Sequence, residues 1–300
     1  MNLSVVVPTL NGRDRLARTL DALADLAPGA EVVVVNGPSA DGTTGMVRER
    51  DDVDVLVEVA DRTAAVARNA GIDRTTGDVV AFVDHGLAIR PGWIEAIEEG
   101  LDDSAVVTGP TLRQLHAGRT TETVESRTVA RRSVTYFNSG NVAFDRTLLD
   151  TYDGFDEYLE RDCDRDLAHR IAGGDDAVSW SPAMAVEQTY GADGGEPEPD
   201  WHWRYRSMSY QLFKNYGVRP TVLARLLGRS CSDGLGALRG VLKGKTGPAA
   251  WVGNGRKVLS GIGVGLKDGL KARASDRSSR RNPRGRSTRA DRAVSVYDWR

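Results

Sequence analysis

The stretch Thr76-Gly77-Asp78-Val79-Val80-Ala81-Phe82-Val83-Asp84-His85-Gly86 decides the fold. Val79 to Val83 are apolar without alternation, as in a strand buried on both faces of a parallel sheet. The run stops at Asp84, at the carboxyl end of the strand, where open α/β sheets place their ligands. A carboxylate there holds a metal ion or a ribose hydroxyl of a nucleotide. A lone Val-Asp pair would read as a loop acid solvating the strand end, so the remaining sequence has to decide.

Three segments, in order, favour a binding site. Leu3-Ser4-Val5-Val6-Val7-Pro8-Thr9-Leu10-Asn11-Gly12-Arg13 is a β-branched strand stopped by Pro8 and a polar loop, with Leu16, Leu20 and Leu23 starting a helical period. Glu31-Val32-Val33-Val34-Val35-Asn36-Gly37-Pro38-Ser39-Ala40-Asp41-Gly42-Thr43 is a second apolar strand followed by a polar turn. Ala67-Arg68-Asn69-Ala70-Gly71-Ile72 follows, with Arg68 suited to a phosphate. Strands alternating with helical segments predict an α/β fold with a parallel sheet of βαβ units.

Together these segments resemble the family 2 glycosyltransferases, inverting enzymes of GT-A fold that use nucleotide-sugar donors. Val7-Pro8-Thr9-Leu10-Asn11 matches the family's first turn, and Val35 to Thr43 matches its second imperfectly. Ala67 to Gly71 matches the Ala-Arg-Asn-x-Gly segment, and Thr76 to Asp84 the strand leading to the metal, with Pro91-Gly92-Trp93 after it. Asn138-Ser139-Gly140-Asn141-Val142-Ala143-Phe144 looks like the strand near the donor sugar. The resemblance covers roughly residues 2 to 190. It implies a Rossmann-like, mostly parallel mixed sheet flanked by helices, to which the apolar and basic spacing beyond residue 195 adds an expected C-terminal amphipathic helical appendage. It also implies donor contacts from Pro8, Thr9, Asn11, Asn36, Asp41, Arg68, Asp84 and Asn141.

The family carries Glu-Asp-x-Asp-Leu where this chain has Cys163-Asp164-Arg165-Asp166-Leu167, so register implies Asp164 as the general base, with Asp162 as rival. Inverting transfer needs one carboxylate to take the acceptor hydroxyl's proton as it attacks the anomeric carbon. Crowded acids would raise that base's pKa. Acids at this spacing also suit the N-terminus of a helix, and the upstream motifs tip the balance to catalysis.

The chain departs from the family at three places. Asp84-His85-Gly86 lacks the second acid of the Asp-x-Asp metal motif. Either His85 substitutes as a ligand, or waters complete a Mg²⁺ or Mn²⁺ shell, or metal dependence is weak. Asn36 stands where the family has an Asp that contacts the base, and Cys163 stands in place of Glu.

Three hundred residues suffice for one large α/β domain plus an appendage, and two distant cysteines imply no disulfide framework. No basic leader precedes the first strand, so no signal peptide is expected. The net charge of −2 hides a division. Residues 1–200 hold 18 bases against 37 acids, and residues 201–300 hold 22 bases against 5 acids. The basic part predicts an anionic partner, membrane or nucleic acid.

The expected organisation is a catalytic domain over 1–195, an aromatic and basic segment with amphipathic helices over 196–273, and a disordered basic tail over 274–300. Gly191 to Pro199 is a flexible loop that in GT-A enzymes often folds over the donor. Trp201-His202-Trp203-Arg204-Tyr205-Arg206 interleaves rings with cations, which suits an acceptor site, a membrane interface or helix packing. No apolar run is long enough to span a bilayer, whereas basic amphipathic helices lie on anionic lipid.

The expected activity is transfer of a sugar from a nucleotide-sugar donor, a UDP-hexose or UDP-hexuronic acid, with inversion. The expected acceptor is a polyprenyl- or dolichyl-phosphate-linked glycan at the cytoplasmic membrane face, for protein N-glycosylation or surface polysaccharide. The protein is expected to be peripheral there and not to bind nucleic acid. A nucleotidyltransferase, or a non-catalytic nucleotide-sugar or nucleic-acid-binding protein, is the alternative. The Gly-rich basic loop of nucleotidyltransferases is absent after Pro8.

Overall fold

Runs of valine at 5–7 and 32–35 and the apolar stretch Val79-Val80-Ala81-Phe82-Val83 build the centre of one sheet, because β-branched and other apolar side chains pack well on a pleated surface covered from both sides. The computed structural model describes residues 1–115, 118–120, 124–174, 176–188, 200–243 and 247–300. These fall into two compact units: 1–126 with 135–193 and 284–300, and 127–134 with 194–283.

The first unit begins β1 Leu3–Thr9, α1 Arg13–Leu26, β2 Glu31–Asn36, α2 Thr43–Arg48, β3 Val55–Val59, α3 Ala64–Ile72 and β4 Val79–Val83. It continues with β5 Leu87–Ile89, α4 Trp93–Asp102, β6 Val106–Thr108, β7 Thr111–Leu115 and β8 Gly118–Thr120. A hairpin of β9 Glu125–Val129 and β10 Arg132–Tyr136, whose residues 127–134 belong to the second unit, precedes β11 Asn141–Asp145, α5 Arg146–Thr151, α6 Cys163–Ile171, β12 Val178–Trp180 and β13 Val186–Gln188 of the first. After the helices α7 Trp201–Tyr216, α8 Pro220–Leu242 and α9 Pro248–Ser275 of the second unit, the chain ends in β14 Ala293–Asp298.

Among the described residues the main sheet has the order β12-β6-β11-β4-β1-β2-β3-β14. Strand β1 lies parallel to β2 on one side and to β4 on the other, with Val5 opposite both Val32 and Ala81. The strand order therefore reverses at β1, and the carboxyl ends of β1, β2, β3 and β4 share one edge, where α/β sheets bind ligands. Strand β11 pairs antiparallel with β4, placing Asn141 opposite Val83. Gly71 lets α3 lie directly on the sheet: a Cβ there would stand 2.3 Å from Val6 Cγ1. That approach carries Arg68 and Asn69 to the strand ends.

The tail expected to be disordered is ordered, which corrects the reading of residues 274–300. Helix α9 continues to Ser275, and β14 pairs antiparallel with β3 as the edge strand of the sheet. The physical reason lies in distant acids. Arg286 pairs with Asp73 and Asp150, Arg289 with Asp61 and Glu157, and Arg292 with Glu157 and Asp73. Each arginine finds its counter-charge on the acidic part of the same chain, so the self-repulsion that favours disorder is cancelled.

In the second unit α7 packs on α9 along a stripe of small residues. Gly261, Gly265, Gly269 and Ala272 are buried, and a Cβ on Gly265 would stand 2.3 Å from the Arg206 carbonyl oxygen. Arg273 donates to the carbonyls of Lys214 and Asn215 at the C-terminus of α7, where a cation is favoured. Tyr205 and Tyr210 are buried in this unit, so packing accounts for half of the aromatic cluster read from the sequence as a possible acceptor or interface site. Gly265→Ala is expected to destabilise the second unit by about 1–3 kcal/mol through overpacking against backbone. Gly263→Ala, whose Cβ meets nothing within 4 Å, is expected to stabilise it slightly through helix propensity. Urea denaturation followed by tryptophan fluorescence reads both, and equal midpoints would contradict the packing.

Candidate active site

The shared strand edge opens into a cavity of about 330 Å³ in the first unit. Pro8, Thr9 and Leu10 reach it from the end of β1, Gly37 from β2, Asp61 to Thr63 from β3, and Asp84 and His85 from β4. Arg68 of α3, almost fully buried, forms another wall. Three polar atoms here, Thr9 Oγ1, Thr63 Oγ1 and Arg68 Nε, are buried without a hydrogen-bond partner among the described residues. Buried polar groups are normally paired, so three unpartnered atoms of residues that line one cavity offer hydrogen bonds to a polar ligand.

Arg68 is the hub. One terminal nitrogen donates to Asp84 Oδ1 at 3.1 Å and to the Ser139 carbonyl at 3.2 Å, and the other approaches Cys163 Sγ at 3.5 Å. Burial opposes its charge, yet the negative charges of Asp84 and Asp164 hold it protonated. Burial pushes the Cys163 thiol up to about 12, so it stays a neutral thiol beside the guanidinium. Gly140 is required by the close approach of Asp84: a Cβ there would meet Asp84 Oδ2 at 2.8 Å.

A second cavity, of about 340 Å³, is lined by Asn138, Ser139, Tyr136, Asp164, Arg165 and Trp180. Asp164 sits in the first turn of α6 and is half-buried. Burial raises its carboxyl pKa, the Arg68 charge opposes that rise, and Asp162 adds to it. Arg165 is held over the Tyr136 ring at 4.5 Å and pairs with Glu125 at 2.8 Å. Arg68, reaching Asp84 on the first cavity and Ser139 on the second, joins the two. A cation, a carboxylate that ends a parallel strand and a carboxylate with raised pKa form the constellation needed to hold an anionic leaving group and deprotonate an alcohol.

Residues 4–155, half of the chain, match the family model described as Glycosyl transferase family 2. The chain belongs to that family. A pre-mycofactocin glycosyltransferase of Mycobacterium tuberculosis is 26% identical over 205 residues, covering 62% of this chain and 42% of that protein. The chain spans less than half the length of the curated relatives it matches. Among solved structures, S. aureus TarS 1–349 in complex with UDP-GlcNAc superposes with a TM-score of 0.63 at 18% identity, covering 92% of each chain. The mannosyltransferase PcManGT of Pyrobaculum calidifontis, in complex with GDP-Man and Mn²⁺, gives 0.56 at 19% identity over 92% of this chain and 88% of that one. The fold is thus a GT-A glycosyltransferase fold.

In this family member the sequence-predicted residues separate into two groups. Pro8, Thr9, Arg68, Asp84 and His85 meet at the first cavity, and Asp164 faces the second. Asn11, Asn36 and Asp41, expected to touch the donor, brace the loops beside it. Asn11 adopts φ 50° and accepts from the Ala40 amide, while Asn36 donates to Thr44 Oγ1 and accepts from Ser39 Oγ. Asp41 accepts from the Arg13 and Thr43 amides; burial opposes its charge, but these bonds and the Thr43 hydroxyl keep its pKa below the usual carboxylate value. Asn141 is fully buried, accepting from Trp93 Nε1 at 2.9 Å and donating to the Met184 carbonyl at 2.6 Å, so it fixes β11 rather than lining either cavity. Asp162, the rival base, is exposed in a left-handed conformation at the N-cap of α6 and lines neither cavity.

Sequence reading missed Asp61, Arg62 and Thr63, although they follow the carboxyl end of β3 and the strand-end rule could have found them. It also missed Asn69 as a positioning residue. Asn69 accepts from the Phe155 amide and donates to the Phe155 carbonyl and Glu157, tying the stretch before α6 to the helix that carries Arg68. The loop expected to cover the donor, Gly191 to Pro199, lies outside the described residues.

Of the residues lining the first cavity, Asp61, Asp84 and His85 carry groups able to ligate a divalent ion, and Asp61 is paired with Arg289 at 3.1 Å. His85 Nδ1 lies 3.2 Å from the Pro8 carbonyl, which only accepts, so Nδ1 carries the proton and Nε2 keeps its lone pair. No group of three His, Cys, Asp or Glu converges among the described residues. Two protein ligands suit Mg²⁺ or Mn²⁺, which draw the rest of their shell from waters and substrate phosphates.

Proposed function

We propose that this glycosyltransferase transfers a hexosyl or hexuronosyl group from a UDP-sugar, with inversion, to a lipid-phosphate-linked glycan at the cytoplasmic face of a membrane. The three orphaned polar atoms around the Arg68–Asp84 pair carry the donor assignment. They supply hydrogen-bonding capacity and positive charge where a nucleoside diphosphate is needed. The UDP-GlcNAc held by the structural relative TarS supports a UDP-sugar. The lipid-linked acceptor and the membrane location rest on the charge of the second unit, which holds 20 Lys or Arg against 6 Asp or Glu. No described helix is long and apolar enough to cross a membrane.

In this reading Arg68 neutralises charge on the departing diphosphate, and Thr9 and Thr63 orient the nucleotide. Asp164 accepts the proton of the acceptor hydroxyl at the second cavity, so nucleophile and leaving group lie on opposite sides of the sugar. A Mg²⁺ or Mn²⁺ ion held by Asp84 and His85 would supply further charge neutralisation to the diphosphate.

Asp84→Ala tests the donor site. The wild-type protein is expected to bind UDP about tenfold more tightly with Mn²⁺ than with EDTA, and the variant is expected to lose that difference. Isothermal titration of UDP reads it. An undiminished Mn²⁺ effect in the variant would remove Asp84 from the site.

A further inference from the structure

The second unit carries an apolar face that nothing among the described residues covers. On α8, Leu223, Leu227, Leu235 and Leu242 are all exposed, the last at 80%. Their spacing places them within a sector of about 120° on the helix. Helix α9 adds Trp251 and Leu259, the latter 70% exposed and pointing away from the glycine stripe that packs on α7. Six large apolar side chains on a helical hairpin exceed the scattered exposure normal for a surface.

Cations border this face. Arg239 and Lys243 stand exposed near the end of α8. On α9, Arg256 and Lys257 follow Trp251 and have no acidic partner among the described residues. These two line a cavity of about 630 Å³ with His202, Asn254 and Ser260, together with Trp201 and the carboxylate of Asp200. Asp200 is occupied as the N-cap of α7, accepting from the Trp203 amide at 3.2 Å. The cavity is lined by residues that carry a guanidinium, an ammonium, an imidazole, an amide and a hydroxyl against the single carboxylate of Asp200, a set with more donors and cations than acceptors and suited to a phosphate ester.

We infer that the α8–α9 hairpin is a membrane-docking surface, on which the leucines and Trp251 enter an anionic bilayer while Arg256 and Lys257 seat a phospholipid phosphate. It deepens the membrane location proposed above, which names its partner, but it stands on different residues from the catalytic site. Charge complementarity selects the occupant: the unit's net charge is +14, and a second copy would bring the same charge against it. Nucleic acid would satisfy the cations and leave six apolar side chains in water. The basic tail that sequence reading assigned to lipid is excluded in part, since Arg286, Arg289 and Arg292 are consumed in ion pairs within the first unit.

The test is flotation of the full chain with vesicles of phosphatidylcholine alone or mixed with phosphatidylglycerol. The protein is expected to float with the mixed vesicles, and added salt should weaken binding. Leu227→Glu combined with Leu235→Glu should abolish flotation. Arg256→Glu with Lys257→Glu should weaken it by about thirtyfold or more, at about 1 kcal/mol per basic residue lost. All four positions are exposed or at the cavity rim, and far-UV circular dichroism checks that the variants stay folded. Flotation that is undiminished in both variants, or binding to single-stranded RNA without binding to vesicles, would overturn the inference. Hydrolysis of UDP-sugar by the same preparations separates the two readings: hydrolysis without flotation removes the docking surface and leaves the donor site standing.

Discussion

Asp164→Asn is expected to lower the rate of sugar transfer by about 10²- to 10⁴-fold while leaving UDP affinity unchanged. The substitution keeps the shape of the side chain and removes its basicity. Asp164 faces the cavity of Tyr136, Ser139 and Trp180 and does not line the one holding Asp84, so the donor should not sense the change directly. Burial, with the neighbouring Asp162 charge, raises the Asp164 pKa in the folded protein. A base must be deprotonated to act, so the rate should fall as pH drops through that raised value. The acid limb of kcat should therefore lie above the ordinary aspartate pKa of about 3.9. Asp162→Asn removes a repelling charge and should move that limb to lower pH while most of the activity survives. A wild-type rate in Asp164→Asn together with loss of activity in Asp162→Asn would exchange the two assignments.

Arg292→Ala is expected to cost about 3–5 kcal/mol, the usual consequence of removing one partner from a buried ion pair. Arg292 and Glu157 are 2% and 5% exposed at the side chain, and the guanidinium also reaches Asp73 at 3.0 Å and the Gly285 carbonyl at 3.2 Å. Without it, the Glu157 side chain keeps Asn69 and Arg289 as its partners among the described residues, while Asp73, whose pKa is already raised by burial, loses its main compensating charge. For a unit of this size the expected fall in Tm is about 10 °C. Arg292→Lys should recover part of it, since an ammonium restores the charge but not the forked geometry. A shift of about 1 °C or less in Arg292→Ala would show that the C-terminal segment is not a structural part of the first unit.

The contrast between these two residues shows what the sequence disclosed. The places of Asp84 and Arg68 at the first cavity were legible from local patterns, an acid at a strand end and a cation before a packing glycine, whereas Asp164 was singled out only by register with the family motif, its local pattern reading equally as the acidic start of a helix. The central strands were legible because unbroken valine runs have few other uses. Arg292 was not legible, because its partners Asp73 and Glu157 lie 219 and 135 positions away and no local pattern joins them. Strand β14 was hidden for the same reason: the arginines before it read as self-repelling until their acids are seen. Asn36, Asp41 and Asn141 show a different limit of the sequence: each hydrogen-bonds within the protein beside the strand edge. Polar residues beside a ligand edge read alike whether they touch the ligand or brace the loop, and only the direction of their hydrogen bonds distinguishes the two.

The central claim is that two adjoining cavities joined by Arg68 hold donor and acceptor, with Asp164 on the acceptor side. A crystal structure of the Asp164→Asn variant soaked with UDP-sugar tests it most directly. The diphosphate should lie against Arg68 and Asp84, with the anomeric carbon turned toward residue 164. A nucleotide bound away from Asp84, or a sugar directed away from residue 164, would contradict the account.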